Sequence, residues 1–291
     1  MGTNFLQWTN EKILEEINKP VLIVAFEGWN DAGEAASTAA RYLRDYFKAI
    51  QAGKIEAEEF FDFTVSRPTI ELPDGQREII WPTTNLHIAK VSKSKYDFAS
   101  LIGHEPQLRW RTFTEEIVKT ANKIEAEMVI TLGALLTDVP HSRPVKVFGS
   151  SEDPLVSKQL DLSPSTYEGP TGIVGVLNDA LKNNGIPGIS LWASVPAYVS
   201  GAQSPKAALA MVQRLAEIME LKIPYTDLEI ASASYEKQIN EIIFEDDSTS
   251  EYVKQLEEDF DSEAAAIEDS QNPDLLVTEV EDFLRNQTGQ A

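Results

Sequence analysis

The chain has 291 residues, 47 of them Asp or Glu against 25 Lys or Arg, for a formal net charge of −22. Its ordinary share of apolar and charged residues excludes a disordered chain, a collagen-like repeat and a disulfide scaffold. With no cysteine there is no disulfide, thiol nucleophile, Cys-ligated zinc or iron–sulfur cluster. An acidic chain also lacks the basic face that nucleic acid or an anionic membrane surface requires. Only three histidines are present, so a three-His metal site would consume them all. The charge is uneven: residues 227–291 hold 19 acidic and 3 basic side chains. A chain of this length fits one large or two ordinary domains and buries a sizeable core without staples.

Residues 21–26, Val-Leu-Ile-Val-Ala-Phe, form a continuous apolar run. It reads as a strand buried on both faces, as in parallel sheets. A polar loop with Gly28 and Gly33 follows, then an Ala-rich stretch, 35–48, that reads as a helix. Strand, Gly-containing loop and helix open an α/β fold. Residues 60–65 read as a short aromatic strand. Residues 78–81 and 86–90 read as further strands, and Pro73-Asp74-Gly75-Gln76 as a turn, so 60–90 is expected to be a hairpin or meander. A helix is expected over 110–124, buried strands over 128–132, 145–149 and 188–195, and a helix over 171–182. Ser204 and Pro205 are placed to cap and open another helix that runs to about residue 221.

After Pro224 the character changes. Helical spacing covers 228–245, with Ile239, Ile242 and Ile243 on one face, and 252–260, with Tyr252, Val253, Leu256 and Phe260 on one face. A last short helix is expected over 274–285. The expected division is an α/β domain over 1–226 and an acidic helical extension over 227–291. No apolar stretch approaches the ~18 residues of a membrane span. The first sixteen residues are charged and lack the apolar stretch of a signal peptide, so a cytoplasmic protein is expected.

Four segments carry polar groups suited to chemistry. Glu27, Asn30, Asp31 and Glu34 follow the first buried strand, where α/β folds bind ligands. Their glycine spacing matches neither phosphate-binding loop, and Asn30 or Asp31 would equally serve as a helix cap. His104, Glu105, Arg109 and Arg111 surround a Pro-defined helix entry. The arginines could clamp an anion, or pair with Glu105 or the 27–34 loop. Asp138, His141 and Arg143 share the loop after the second buried strand. A carboxylate beside an imidazole is the start of acid–base machinery, but no nucleophile elbow accompanies it. Glu168, ahead of Gly172 and Gly175, lies where a helix N-terminus could hold an anion, or where the glycines serve close packing.

Taken in order, Glu27-Gly28-Trp29-Asn30-Asp31-Ala32-Gly33, Ser66-Arg67-Pro68, Gly103-His104-Glu105-Pro106, Gly133-Ala134-Leu135-Leu136, Asp138-Val139-Pro140-His141-Ser142-Arg143-Pro144, Glu168-Gly169-Pro170-Thr171-Gly172 and Ser190-Leu191-Trp192-Ala193-Ser194-Val195-Pro196 resemble the proteasome assembly chaperone 2 family. The resemblance is to its actinobacterial branch and covers about 20–220. It implies a nucleoside phosphorylase-like α/β fold and a tendency to form homo-oligomers, trimers among them. Archaeal and eukaryotic members assist assembly of the proteasome α-ring, and no catalytic set is established to carry over. Some archaeal members dock through a hydrophobic–Tyr–any tail; this chain ends Thr288-Gly289-Gln290-Ala291 and departs from it.

The expected fold is therefore α/β, with a central, mostly parallel sheet, flanking helices and a C-terminal helical extension. The expected function is non-enzymatic binding of protein subunits, proteasome subunits among them, with no cofactor, metal, nucleic acid or membrane. The alternative is a phosphorylase- or hydrolase-like enzyme or small-molecule binder with its site around Glu27, Asp138 and His141. The candidate ligand-binding residues are Glu27, Asn30, Asp31, Glu105, Arg109, Asp138, His141, Arg143 and Glu168.

Overall fold

A computed structural model of the chain describes residues 4–92, 94–160 and 162–271. The helix expected over 274–285 and the C-terminal tail lie outside them. The chain divides into two compact units, one of residues 1–137 and 145–235, the other of 138–144 and 236–291. Among the described residues no helix is long and apolar enough to cross a membrane.

The strands are β1 (Leu6–Trp8), β2 (Val21–Glu27), β3 (Ile50–Ile55), β4 (Thr69–Glu71), β5 (Glu78–Ile80), β6 (Thr84–Ala89), β7 (Phe98–His104), β8 (Met128–Thr137), β9 (Val147–Ser150) and β10 (Gly188–Pro196). The helices are α1 (Ala35–Tyr46), α2 (Trp110–Lys123), α3 (Pro154–Leu160), α4 (Ile173–Asn183), α5 (Pro205–Ile218), α6 (Thr226–Phe244) and α7 (Asp247–Gln271). Eight strands form one mixed sheet in the order β1-β3-β6-β7-β2-β8-β10-β9; its centre, β7-β2-β8-β10, is parallel and its flanks are antiparallel. β4 and β5 form a separate hairpin.

The pleat of β2 sorts the core. Val21, Ile23 and Ala25 join the layer that contains α1 and α5, while Leu22, Val24 and Phe26 join the layer that contains α2 and α4. Successive strand residues point to opposite faces, so an unbroken apolar run suits a strand covered on both sides. On the second face Phe60 packs edge-on against Phe113 with ring centroids 5.1 Å apart, and Phe113 also meets Phe26 at 5.8 Å. The helix entries have local causes. The Asp31 carboxylate accepts the amide of Ala36 at 2.7 Å and that of Ser37 at 3.3 Å, fastening the start of α1. Ser204 Oγ accepts the Ala207 amide at 3.4 Å, and Pro205 opens α5 as expected.

Four expectations are corrected. Residues 60–65 are not a strand: the amides of Phe60 and Phe61 both bond to the Ala57 carbonyl, and Asp62 accepts from the Thr64 amide and hydroxyl. An Asx-type turn thus drives two successive phenylalanines inward. The strand expected at 145–149 is β9, an antiparallel edge strand rather than a buried one, with Phe148 half exposed. On α6, Ile239 and Ile243 are buried one turn apart, whereas Ile242 is 66% exposed. On α7, Val253 and Leu256 are buried, but Tyr252 is 43% exposed.

Two positions test the packing. Phe113→Ala should cost about 3–5 kcal/mol in urea denaturation, the usual cost of an emptied aromatic site. Gly103→Ala should also destabilise the fold, because its new Cβ would lie 2.7 Å from the Thr83 carbonyl oxygen and the Thr84 Cα, both backbone atoms.

Candidate functional site

The first unit places its functional groups by topology. α1 leaves the end of β2 toward one face of the sheet, and α2 leaves the end of β7 toward the other. Adjacent parallel strands whose helices part in this way open a crevice at their carboxyl ends, where doubly wound folds bind ligands. Glu27 and His104 are register partners at those two ends.

Glu27 is gripped from both sides. His104 Nδ1 lies 2.7 Å from its Oε2, and the Arg41 guanidinium, from α1, pairs with its Oε1. Arg41 also donates to Ser37 Oγ at 3.1 Å. The three side chains are 25%, 31% and 49% exposed for Glu27, Arg41 and His104, so this is a half-open ionic cluster. Burial, and then the Arg41 cation, push the His104 imidazole down from its ordinary value. Arg41 occupies the same carboxylate that would otherwise favour imidazolium. In its neutral form, with Nδ1–H donating to Glu27, the imidazole has Nε2 as its acceptor nitrogen.

Beside it, Glu105 Oε1 accepts from Asn30 Nδ2 at 2.8 Å and from the Ile173 amide at 3.0 Å, at the start of α4. A carboxylate at a helix N-terminus is favoured by the unpaired amides there and by the helix dipole. Asn30 is 1% exposed and its Oδ1 has no hydrogen-bond partner among the described residues. Burial raises the Asp31 carboxyl, while Ser37 and the amides of Ala36 and Ser37 oppose that shift. Arg109 joins neither Glu105 nor the 27–34 loop: its guanidinium pairs with Glu59 and lies over the Phe5 and Phe60 rings. Glu168 is exposed.

Asp138, His141 and Arg143 belong to the second unit, where they engage its helices. Tyr252 Oη donates to Asp138 at 3.1 Å, and His141 Nε2 lies 3.1 Å from Asn240 Oδ1. Arg143 forms a two-pronged bond to Asp261, 2.8 Å on each arm, and reaches Glu257 at 3.4 Å, which Ser142 Oγ also contacts. The loop is thus clasped to α6 and α7, and Glu27 and Asp138 fall to different units. Arg41 escaped the sequence reading because it lies fourteen residues from Glu27 inside an apolar helix. His104 is legible in the sequence beside Glu105 at the helix entry, but its pairing with Glu27 depends on the register of β2 against β7. No group of three or more His, Asp or Glu among the described residues is placed to hold a metal ion.

A third feature is apolar. Ile70 and Ile79 are cross-strand partners in the β4–β5 hairpin, and Leu72 and Trp81 lie just beyond the ends of β4 and β5. All four are exposed, Leu72 by 67%, and Trp81 stacks edge-on with Phe63 at 4.8 Å.

The fold and the strand-end cluster define an α/β protein with a doubly wound centre and helical additions. The chain belongs to the PAC2 family, whose model matches residues 25–243. It is similar to a PAC2 family protein of Streptomyces avermitilis, with 42% identity, 80% of this chain and 99% of that one covered, and a TM-score of 0.74. It is likewise similar to a Mycobacterium tuberculosis proteasome-assembly chaperone homologue, with 39% identity, 80% and 99% covered, and a TM-score of 0.73. An uncharacterized protein of Methanocaldococcus jannaschii is 29% identical over 132 residues, 44% of this chain and 50% of that protein. The chain thus spans about half the length of that relative.

Three measurements test these contacts. In an imidazole NMR titration His104 should protonate below the ordinary value of about 6.5, and Arg41→Met should raise its pKa by leaving Glu27 to act alone. As pH falls, the unfolded chain takes this proton first. The corresponding stability is therefore fully present above the ordinary histidine value and is lost below it, and His104→Asn should flatten that part of the denaturation profile. In the second unit, Arg143→Ala should speed amide exchange in 138–144 and around 257–261 while leaving β2 protected.

Proposed function

We propose that this chain is a non-enzymatic, chaperone-like protein that acts in the cytoplasm as a homo-oligomer and binds protein subunits, proteasome subunits among them. The observation that carries the reading is the β4–β5 arm. A two-stranded hairpin with an exposed apolar face is marginal by itself in water, and exposed contiguous apolar surface marks a protein contact. Ile70 and Ile79 supply that face, and Leu72 and Trp81 are exposed just beyond the strand ends. Glu71 and Glu78 stand directly opposite each other on the other face, where like charges weaken the isolated hairpin. A client subunit that covers the apolar face would offset both effects. Family membership supports the reading, as does 39% identity to the Mycobacterium protein described as a proteasome-assembly chaperone homologue.

The test is affinity capture from native lysate at low salt, where an acidic surface acts over the longest range. The full chain should recover proteasome α-subunits in fixed proportion, and Ile79→Glu should recover at least about tenfold less, the effect of about 1.4 kcal/mol. Recovery of this protein alone, or equal recovery by the Ile79→Glu variant, would count against the arm as the client surface.

A further inference from the structure

His104 keeps a carboxylate beside its imidazole; His87 has no such partner. On β6, Ala89 belongs to the layer that contains α1, and Leu86 and Ile88 belong to the other. Alternation therefore turns His87 toward α1. Its side chain is half-buried, and Nδ1 is buried without a hydrogen-bond partner among the described residues. Its register partners are Gln51 on β3 and Ser100 on β7, and neither carries charge. Gln51 Nε2 donates to Asn85 Oδ1 at 2.9 Å, and Ser100 Oγ is itself buried and unbonded. Among the described residues, the charged groups that act on His87 come from α1: Arg44 and Asp45. Arg44 grips both oxygens of Asp45, donating from Nε at 2.8 Å and from Nη2 at 3.0 Å. The guanidinium acts on the imidazole more strongly than the carboxylate does.

These surroundings are not arranged for a second proton on the ring. Imidazolium has two N–H donors, and here Nδ1–H would lie buried with no acceptor. A buried donor without a partner costs the desolvation of that group. The new cation would also face Arg44. Burial first, then Arg44, push the His87 imidazole below its ordinary value, and the Asn85 backbone and Asp45 oppose this without reversing it. As pH falls, the opened chain takes the proton before the closed one. The stability linked to His87 is thus fully present above the ordinary value of about 6.5 and is lost below it. The loss falls on the α1 contact, because the helix delivers Arg44 whereas Gln51 and Ser100 are neutral. Lifting the helix hydrates the ring and takes Arg44 away, and it leaves the ladder bonds of β6 and β7 in place.

We propose that His87 makes the seating of the C-terminal half of α1 on β6 and β7 acid-sensitive, so that protonation of its imidazole frees this part of the helix while the sheet stays formed. Freed, the helix end opens the contact between Phe47 and Phe98, whose rings lie 5.2 Å apart. This inference is independent of client binding through the β4–β5 arm.

The experiment is native-state amide exchange on the full chain, read as protection factors from about pH 7.5 down to about pH 5, the range in which a histidine titrates. In the wild type, protection over residues 40–47 should fall at least about fivefold more than protection over β2. In His87→Gln, which stays neutral, that excess should vanish. Two other acid-sensitive groups act on α1: His104 through Glu27 and Arg41, and Asp31, whose carboxyl is raised by burial and holds the amides of Ala36 and Ser37. Both remain in His87→Gln, so the comparison subtracts them, and His104→Asn should keep the excess. A reading without any variant comes from the His87 imidazole resonance, whose titration midpoint should coincide with that of the α1 loss. The proposal is overturned by an equal excess in the wild type and His87→Gln, by a loss no greater in α1 than in β2, or by midpoints that differ. An excess abolished in His104→Asn and kept in His87→Gln also overturns it, in favour of the Glu27 cluster.

Discussion

The structure depends on β2 being apolar on both faces. From Val21 to Phe26 every side chain is fully buried, and alternate residues anchor the two helical layers. Each such side chain contributes about 1.5–3 kcal/mol when removed from water. The strand therefore cannot slip by one residue without moving a charged Glu27 into the core or an apolar residue out of it. That fixed register sets Glu27 beside His104 at the carboxyl end of the sheet.

The charges at that end are held by compensation. Asp31 spends its carboxylate on the first amides of α1, Glu105 on the first amide of α4, and Glu27 on Arg41 and His104. Helix N-termini with unpaired amides make the first two arrangements favourable. The third requires a cation delivered by the middle of α1, since no group of the loop itself carries positive charge. A formal net charge of −22 over the chain makes such local pairing more consequential, because self-repulsion works against any acidic group left unpaired.

The second unit follows a different logic. Among the described residues its helices carry few buried apolar side chains, Ile239, Ile243, Val253 and Leu256. Much of its definition comes from polar contacts to the 138–144 loop: Arg143 to Asp261 and Glu257, Ser142 to Glu257, Tyr252 to Asp138 and His141 to Asn240. Partly exposed ion pairs of this kind are modest and sensitive to salt. Their effect is directional: within that unit they hold the 138–144 loop to Asn240 of α6 and to α7.

Apolar runs and helix signals in the sequence by themselves determined the α/β class, the buried strands β2, β8 and β10, the Ser204–Pro205 start of α5 and the helical nature of 228–244 and 252–260, because period and capping are local properties. Local pattern also misled, where Asp62 turned an aromatic run into a bend and where an edge position left β9 half exposed. β3 and β7 went unread: β3 carries Gln51, Gly53 and Lys54 along an antiparallel flank, and β7 is interrupted by Ser100 and Gly103. The pairing of Glu27 with Arg41 and His104, the turn of Arg109 toward Glu59 and the clasp on Arg143 were decided only by the tertiary structure. A charged side chain chooses its partner by distance in space, and the sheet order that sets those distances is written in long-range packing rather than in any local stretch of residues.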